Sequence, residues 1–189
     1  EYICTDGGIY RWDEGNVTVS IDARNFEKAA QSALATGKKE ELCHACSLYY
    51  GEFLSQMTGE KWVNVIGVKY QELYFKCLRL ASRLLKADRE YDRLLNLSTA
   101  ASKLYPYEEC QMMKLDCLIA LKRYQEAMEV YKQVVVQYFE EQGLPPSETM
   151  LQRFRLMSGQ IRYTSDMLKD IENTLKEREE TQGPYYSTY

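Results

Sequence analysis

CLRLASRLLKADREYDRLLNLSTAA, at 77 to 101, is echoed later in the chain by CQMMKLDCLIALKRYQEAMEVYKQV, at 110 to 134. Both stretches place apolar or small side chains at corresponding positions. The matching pairs are Cys77 with Cys110, Leu80 with Met113, Leu84 with Cys117, Leu85 with Leu118, Tyr91 with Tyr124, Leu94 with Ala127, Leu97 with Val130, and Ala101 with Val134. These positions follow helical spacing on both sides of a polar turn, so the repeated unit is a pair of helices.

The length and content of this repeat predict the fold. A period of about 34 residues with helix–turn–helix content is typical of tetratricopeptide-type solenoids. Each unit of such an array buries its apolar face only against its neighbours and leaves extended surfaces open to partners. We therefore predict an all-α, tetratricopeptide-like array of antiparallel helix pairs that serves as a binding scaffold.

Composition excludes several classes of protein. The 189 residues are 45% hydrophobic and 28% charged, which is enough for a sizeable core. A net charge of −4 is unfavourable for nucleic-acid binding, which depends on clustered cations. No apolar run approaches the roughly 18 to 20 residues of a membrane span, and no signal-peptide pattern opens the chain. We expect a cytoplasmic protein.

The six cysteines are predicted to be buried, reduced thiols that pack as small apolar groups. Cys43 and Cys46 flank His44, but a structural zinc site usually needs a second such pair, and the sequence has none. Haem attachment would need a histidine where Ser47 stands. We therefore expect neither a metal nor any other cofactor.

The start of the chain, 1–21, differs from the rest. Two short extended runs flank Asp6-Gly7-Gly8 and predict a β-hairpin, and a further extended run is predicted at 17 to 21. The chain begins with glutamate, so we expect this segment to be the remnant of an absent N-terminal domain. A lone hairpin is marginal in water, so its order should depend on packing of Tyr10 and Trp12 against the helices.

Helix signals fill the chain from Asp22 onward. Asp22 is predicted to cap a first helix that Gly37 ends, and a second helix is predicted for about 39 to 56, with Leu48, Phe53 and Leu54 packed inward. Further helices are predicted from Trp62 to about Ala87, from Glu90 to Tyr105, from Tyr107 to Leu121, from Tyr124 to about Gln142, after the capping residue Ser147, and from Tyr163 to about Thr181. The apolar face of the longest helix is predicted to be Trp62, Ile66, Tyr70, Leu73, Cys77, Leu80 and Leu84, widened by Tyr74, Phe75, Leu78 and Leu85.

Individual residues along the chain match a known family in order and spacing. They are Asp22 with Phe26, LYYGEFL at 48 to 54, Trp62-Val63, Tyr70, Pro106-Tyr107-Glu108-Glu109, Tyr124 with Ala127 and Tyr131, and LPPSETM at 144 to 150. Over residues 1 to 151 this pattern resembles the bacterial transcriptional activator domain. That domain is the tetratricopeptide-like module of antibiotic-regulatory-protein-type transcriptional regulators.

The resemblance implies a domain organisation and a set of partners. In that family the module follows a winged-helix DNA-binding domain, and GGIYRW at 7 to 12 is similar to the hairpin that closes it. The expected segments are a hairpin remnant of an absent winged-helix domain at 1–21, the tetratricopeptide-like module at 22–157, and a C-terminal helix and tail at 158–189 that lead to a possible further domain. The implied partners are proteins: its own winged-helix domain, the transcription machinery, or a second copy of the chain. No direct contact with nucleic acid or membrane is expected from this segment.

Catalytic motifs are missing from the sequence. It has one histidine, no glycine-rich phosphate loop, no nucleophile elbow and no paired metal motif. The carboxylates fall mainly on helix faces predicted to be solvated. We predict that the chain is not an enzyme.

The candidate binding surface is a stripe of four cations on the longest helix. Lys76, Arg79, Arg83 and Lys86 stand at spacings of 3, 4 and 3 and so share one face. One repeat later the equivalent residues are Glu109, Met112, Asp116 and Ile119, so we expect a groove that changes from basic to acidic and apolar along its length. A plain solvated face is the alternative interpretation. If the stripe is functional, an acidic peptide could bind it, with the arginines forming bidentate contacts to carboxylates.

Two functions follow from these patterns. The first is a regulatory protein–protein interaction module of a bacterial transcriptional activator whose DNA-binding domain lies outside this chain. The alternative is a peptide-binding tetratricopeptide adaptor unrelated to transcription. The predicted hairpin favours the first, because an adaptor does not need a wing-like segment.

Overall fold

Seven helices follow a two-stranded hairpin in the computed structural model, which describes residues 3–12, 20–57, 59–143, 145–160 and 173. The hairpin pairs β1 (Ile3–Asp6) with β2 (Ile9–Trp12), antiparallel. The helices are α1 (Asp22–Thr36), α2 (Lys39–Ser47), α3 (Lys61–Ala87), α4 (Tyr91–Leu104), α5 (Glu108–Ala120), α6 (Tyr124–Gln142) and α7 (Glu148–Gln160). This architecture confirms the predicted all-α class, with a short hairpin in front of the helices. The chain forms two compact units, Glu1–Lys114 and Leu115–Tyr189.

The turns inside the two repeated helix pairs have the same local structure. Arg89, after α3, and Lys122, after α5, are left-handed, with φ of 60° and 58°. The N–H groups of Arg89 and Glu90 donate to the carbonyls of Lys86 and Leu85. The second turn repeats both bonds at the equivalent positions, from Lys122 to Ile119 and from Arg123 to Leu118. This is the Schellman pattern, which satisfies the last carbonyls of a helix.

Burial also repeats between the second helices of the two pairs. Leu94 in α4 and Ala127 in α6 are both fully buried, and of the next pair Ala101 is fully buried and Val134 is 2% exposed. Tyr91 and Tyr124 are both half-buried. The repeat therefore describes three-dimensional equivalence as well as sequence similarity.

The first unit has an aromatic core. Phe26, Tyr49, Tyr70, Tyr74 and Tyr105 are at most 8% exposed. The Tyr49 ring stacks on the Tyr74 ring at 4.5 Å between centroids, and the Tyr49 and Tyr105 hydroxyls lie 2.6 Å apart. The rings join α1, the segment after α2, the middle of α3 and the end of α4.

In the second unit, α6 packs against α7. The rings of Tyr131 and Phe154 lie 5.0 Å apart, and Met150 and Met157 are at most 1% exposed. Ser147 caps α7 as predicted, since its hydroxyl accepts a hydrogen bond from the Met150 N–H at 3.3 Å. The helix predicted from Tyr163 to Thr181 lies outside the described residues, apart from residue 173.

The prediction of a second helix to about residue 56 was wrong. Helix α2 ends at Ser47, and the chain then runs through a loop to a short 3-10 turn at Ser55–Met57. Two residues of this loop have positive φ, Gly51 with 142° and Leu54 with 45°, so the helical path cannot continue. Leu48 and Phe53 pack against the core as predicted, whereas Leu54 is 43% exposed and Tyr49 takes the buried position.

The predicted face of α3 was partly wrong. Its buried residues are Val63, Tyr70, Tyr74, Phe75, Cys77, Leu78, Ala81, Ser82 and Leu85. Leu73, Leu80 and Leu84 lie at the edge of this face, and Trp62 is 49% exposed. The first turns of α3 also expose Val65 and Val68. A helix with apolar residues around most of its circumference has no unique face in sequence, and contacts with α1, α2 and α4 select one.

The prediction that Asp22 is the N-cap of the first helix was wrong. The N-cap of α1 is Ile21, and Asp22 is the first helical residue, its carboxylate accepting from the Ala23 N–H at 2.7 Å. Gly37 ends α1 in the left-handed conformation, as predicted. In the hairpin, Tyr10 is 77% exposed and does not pack on the helices, while the Trp12 side chain and residues 17–19 lie outside the described residues.

Replacing the left-handed residues by glycine should stabilise the fold. Arg89→Gly or Lys122→Gly removes a backbone cost of roughly 1–2 kcal/mol for an L-residue, less about 0.5–1 kcal/mol for the greater freedom of glycine in the unfolded chain. We expect a net gain of about 0.5–1 kcal/mol in urea denaturation. Lys28→Gly, at an exposed position inside α1, is the matched control and should cost about 1 kcal/mol. Destabilisation of both turn variants by as much as the control would contradict the shared turn.

Buried charge should unfold the repeated pairs. Leu94→Asp and Ala127→Asp each place a carboxylate at a fully buried position. An unpaired buried charge costs several kcal/mol, comparable with the ~5–15 kcal/mol stability of a typical domain. Thermal melting by circular dichroism should show loss of the cooperative transition. Asn96→Asp, on the exposed face of α4, is the control and should melt like the wild type. A normal melting transition for either buried variant would show that the alignment of the two repeats is wrong.

Candidate functional site

The four predicted cations lie on α3 within the first unit. Lys76, Arg79 and Arg83 are exposed, and Lys86 is half-buried. They share one side of the helix, as their spacing predicted, next to the buried face that holds Cys77. The structure thus brings them together as a stripe.

Arg79 is bound by a carboxylate of the same chain. Its Nε donates to Glu109 Oε1 at 2.6 Å, and its Nη2 donates to Glu109 Oε2 at 2.7 Å. This is the bidentate geometry in which the guanidinium fork matches a carboxylate. The guanidinium carbon also lies 5.5 Å from the centroid of the Phe75 ring, a favourable cation–π distance.

The Arg79–Glu109 pair has well-defined geometry but remains in contact with solvent. The hydrogen bonds from Arg79 lower the pKa of Glu109, and the same bonds raise the pKa of Arg79. The two side chains are 57% and 40% exposed. Solvent screening limits the net stabilisation from such an exposed pair to about 1 kcal/mol or less. Glu109 therefore positions Arg79, but another carboxylate can displace it.

A groove of about 470 Å³ adjoins this pair. Its walls come from α3 and from the start of α5, and they combine charged, amide and aromatic groups. The lining residues are Gln71, Glu72, Phe75, Lys76, Arg79, Tyr107 and Glu109. The N-terminal half of the basic stripe therefore opens into a concave surface that a peptide side chain could enter.

Sequence reasoning missed the direct contact between Arg79 and Glu109. Glu109 was identified as the repeat equivalent of Lys76, and the acidic end of the groove was predicted to lie one repeat further along. In the structure the start of α5 lies beside α3, so residues about one repeat apart are neighbours across the groove. The repeat itself could have indicated this contact. No sequence signal marked Gln71, whose side-chain amide donates to the Tyr107 hydroxyl at 3.1 Å.

A second polar cluster joins the start of α2 to the turn between α3 and α4. Lys39 donates to Asp88 and Glu90, and Arg93 binds Glu40 at 2.7 Å and Glu90 at 2.6 Å. Hydrogen bonds from Arg93 lower the pKa of Glu40, and those from Lys39 and then Arg93 lower the pKa of Glu90. The cluster connects the start of α2 to the turn between α3 and the start of α4, so its role is structural.

The cysteines are free thiols, as predicted; Cys46, Cys77, Cys110 and Cys117 are buried, whereas Cys4 and Cys43 are only half-buried. Burial raises the pKa of Cys77 and of Cys110 to about 11. These groups stay protonated at neutral pH and are poor nucleophiles. Cys43 and Cys46 lie within α2, and the described part of the chain contains no group of three or more metal-ligating side chains.

The family model of the bacterial transcriptional activator domain matches residues 21–156, well over half of the chain. The chain belongs to this family. The bacterial transcriptional activator domain is a regulatory module rather than an enzyme family, in agreement with the resemblance drawn from the sequence. The match begins after the hairpin and ends within α7.

The comparison with curated proteins found no match to this chain. Across the described residues, the helices are all too short or too polar to span a bilayer.

The charged cluster at α2 predicts a pH dependence of stability. Glu40 and Glu90 have folded-state pKa values below their ordinary 4.5. A lowered carboxyl pKa gives stability that is complete above the ordinary value and is lost as the pH falls through the folded-state value. The melting temperature of Arg93→Met should therefore lie below that of the wild type at neutral pH, and the gap should narrow as the solution is acidified. For the control Lys28→Met the difference from wild type should stay constant with pH.

Proposed function

We propose that this bacterial transcriptional activator domain is a regulatory protein–protein interaction module whose partner binds the basic stripe of Lys76, Arg79, Arg83 and Lys86. The family match supplies the regulatory role. The observation that carries the choice of surface is the groove that Lys76 and Arg79 line, with the exposed Arg83 next along the same side of α3.

An acidic segment of a protein is the ligand class that this surface favours. Arg79 binds the carboxylate of Glu109 through both Nε and Nη2, and we propose the same geometry for a partner's carboxylate. A nucleic acid is a poorer candidate, because the chain carries a net charge of −4. The function requires no catalysis and no cofactor.

The proposed partners are the winged-helix domain of the same regulator, the transcription machinery, or a second copy of the chain. The hairpin supports the first of these. It precedes the family match, and its Ile9 and Tyr10 side chains are 71% and 77% exposed. We propose that β1 and β2 pack in a preceding winged-helix domain, that residues 22–157 form the regulatory module, and that residues 158–189 lead toward a further domain. The family match favours this organisation over an adaptor unrelated to transcription.

Charge reversal on α3 tests the function. In the full-length regulator, Arg79→Glu combined with Arg83→Glu should reduce partner binding at least tenfold and lower promoter activation accordingly. Wild-type binding should weaken as salt rises, because partly exposed charges are screened. The fold should persist, because the lost surface pair contributes only about 1 kcal/mol.

A matched control distinguishes an effect of the basic stripe from an effect of the changed net charge of the protein. Arg24→Glu with Lys28→Glu reverses two exposed cations of α1 and should leave binding and activation unchanged. If the α3 double reversal folds and activates transcription like the wild type, the stripe is a solvated face and the proposed binding surface is wrong.

A further inference from the structure

Tyr107 forms a fixed aromatic platform in the groove. Its ring stacks on the rings of Phe75 and Tyr105, with centroids 5.9 and 5.4 Å away and interplanar angles of 20° and 27°. The two inner rings lie 5.3 Å from each other and are almost completely buried, whereas Tyr107 is 49% exposed. Because Tyr107 stacks on both inner rings, its exposed half is turned away from them, and Tyr107 is one of the residues that line the groove.

The platform is held before any ligand arrives. Gln71 donates to the Tyr107 hydroxyl, and the inner rings fix the plane of the ring. A flat ring that is already ordered can stack on a partner's aromatic side chain at low entropic cost. The exposed face of Tyr107 therefore offers a subsite for an aromatic ring.

Arg79 offers the neighbouring subsite, and Glu109 occupies it. Both oxygens of Glu109 accept from the guanidinium, in the arrangement that a ligand carboxylate would take. Exposed pairs of this kind contribute little net free energy, so an incoming carboxylate can exchange with Glu109. Glu109 then acts as an internal competitor for the arginine.

The other charges along the groove favour one orientation of a bound acidic segment. Glu72 lies about 10 Å along α3 from Arg79 and repels acidic groups at that end. Lys76 and Arg79 lie in the middle of the line, and the exposed Arg83 follows one turn beyond them. A bound segment is favoured with its carboxylates toward Arg79 and Arg83.

We propose that the groove binds an acidic peptide segment of a protein partner by stacking one aromatic side chain on Tyr107 while one carboxylate replaces Glu109 on Arg79. The inference rests on the proposed function and deepens it in two respects. It adds an aromatic residue to the ligand, and it makes Glu109 a determinant of affinity. A segment that is acidic but lacks an aromatic residue gains only the charge contacts and competes poorly with Glu109.

The test uses two synthetic probes and the chain of residues 1–189. One probe is a capped peptide of aspartate and glutamate with a single phenylalanine, and the other carries alanine in its place. In fluorescence-anisotropy titrations the phenylalanine peptide should bind at least fivefold more tightly. Glu109→Gln should raise the affinity for both peptides about two- to fivefold, because it removes the competing charge. Glu126→Gln, which breaks the exposed Arg123–Glu126 pair at the start of α6, is the matched control and should change neither affinity.

Two further variants test the platform. Tyr107→Leu should abolish the preference for the phenylalanine peptide and leave the alanine peptide unaffected. Tyr107→Phe keeps the ring and should retain the preference, which separates stacking from a loss of folding. Circular dichroism of each variant checks the helices.

Several results would overturn the inference. Equal binding of the two peptides to the wild type would show that Tyr107 provides no aromatic subsite. Unchanged or weaker peptide binding by Glu109→Gln would show that Glu109 does not compete with the ligand for Arg79. A single-stranded oligonucleotide of the same charge that binds more tightly than either peptide would show that the ligand class is wrong. If these tests fail while the Arg79 and Arg83 reversal still abolishes partner binding, the proposed function stands without this inference. If the charge reversal also leaves partner binding unchanged, both the proposed binding surface and this inference are wrong.

Discussion

The hydrogen bond between the hydroxyls of Tyr49 and Tyr105 is the contact on which the first unit depends. Tyr49 lies in the irregular loop after α2, and Tyr105 lies at the end of α4, so the bond joins segments 56 residues apart. Burial raises the pKa of both groups, and a buried hydroxyl without a partner costs roughly 1–3 kcal/mol. Each tyrosine therefore requires the other. Because Tyr105 also supports the ring of Tyr107, the proposed binding surface depends on the placement of a distant loop.

The repeated helix pairs could be derived from sequence because their information is local and occurs twice. The turns at Arg89 and Lys122 use the same hydrogen bonds, and the spacing of apolar residues in the second helix of each pair predicts which of its faces is buried. The ends of α4, α5 and α6 fell within one residue of the predicted positions for the same reason. The repeat was also sufficient to predict the fold class.

Other features could not be derived because they are decided by contacts between elements. The end of α2 depends on positive φ at Gly51 and Leu54, and a hydrophobic run gives no sign of it. The face of α3 is chosen by three neighbouring helices. In the candidate site, the stripe itself was predictable from spacing, but the pairing of Arg79 with Glu109 depends on how closely α5 approaches α3. Whether a surface cation is paired therefore depends more on the residues of the adjacent repeat than on the spacing along its own helix.

The half-exposed Trp62 gives the molecule a built-in optical reporter. Its indole lies 6.3 Å from the ring of Phe53, edge to face, at the start of α3, and the sequence contains only one other tryptophan. Emission from a partly solvated indole shifts to shorter wavelength when water is displaced from it. If Trp12 is replaced by phenylalanine, the remaining fluorescence reports solvent access at the N-terminal end of α3 alone. The chain can thus reveal, without any attached dye, whether an assembled regulator covers that end of the helix.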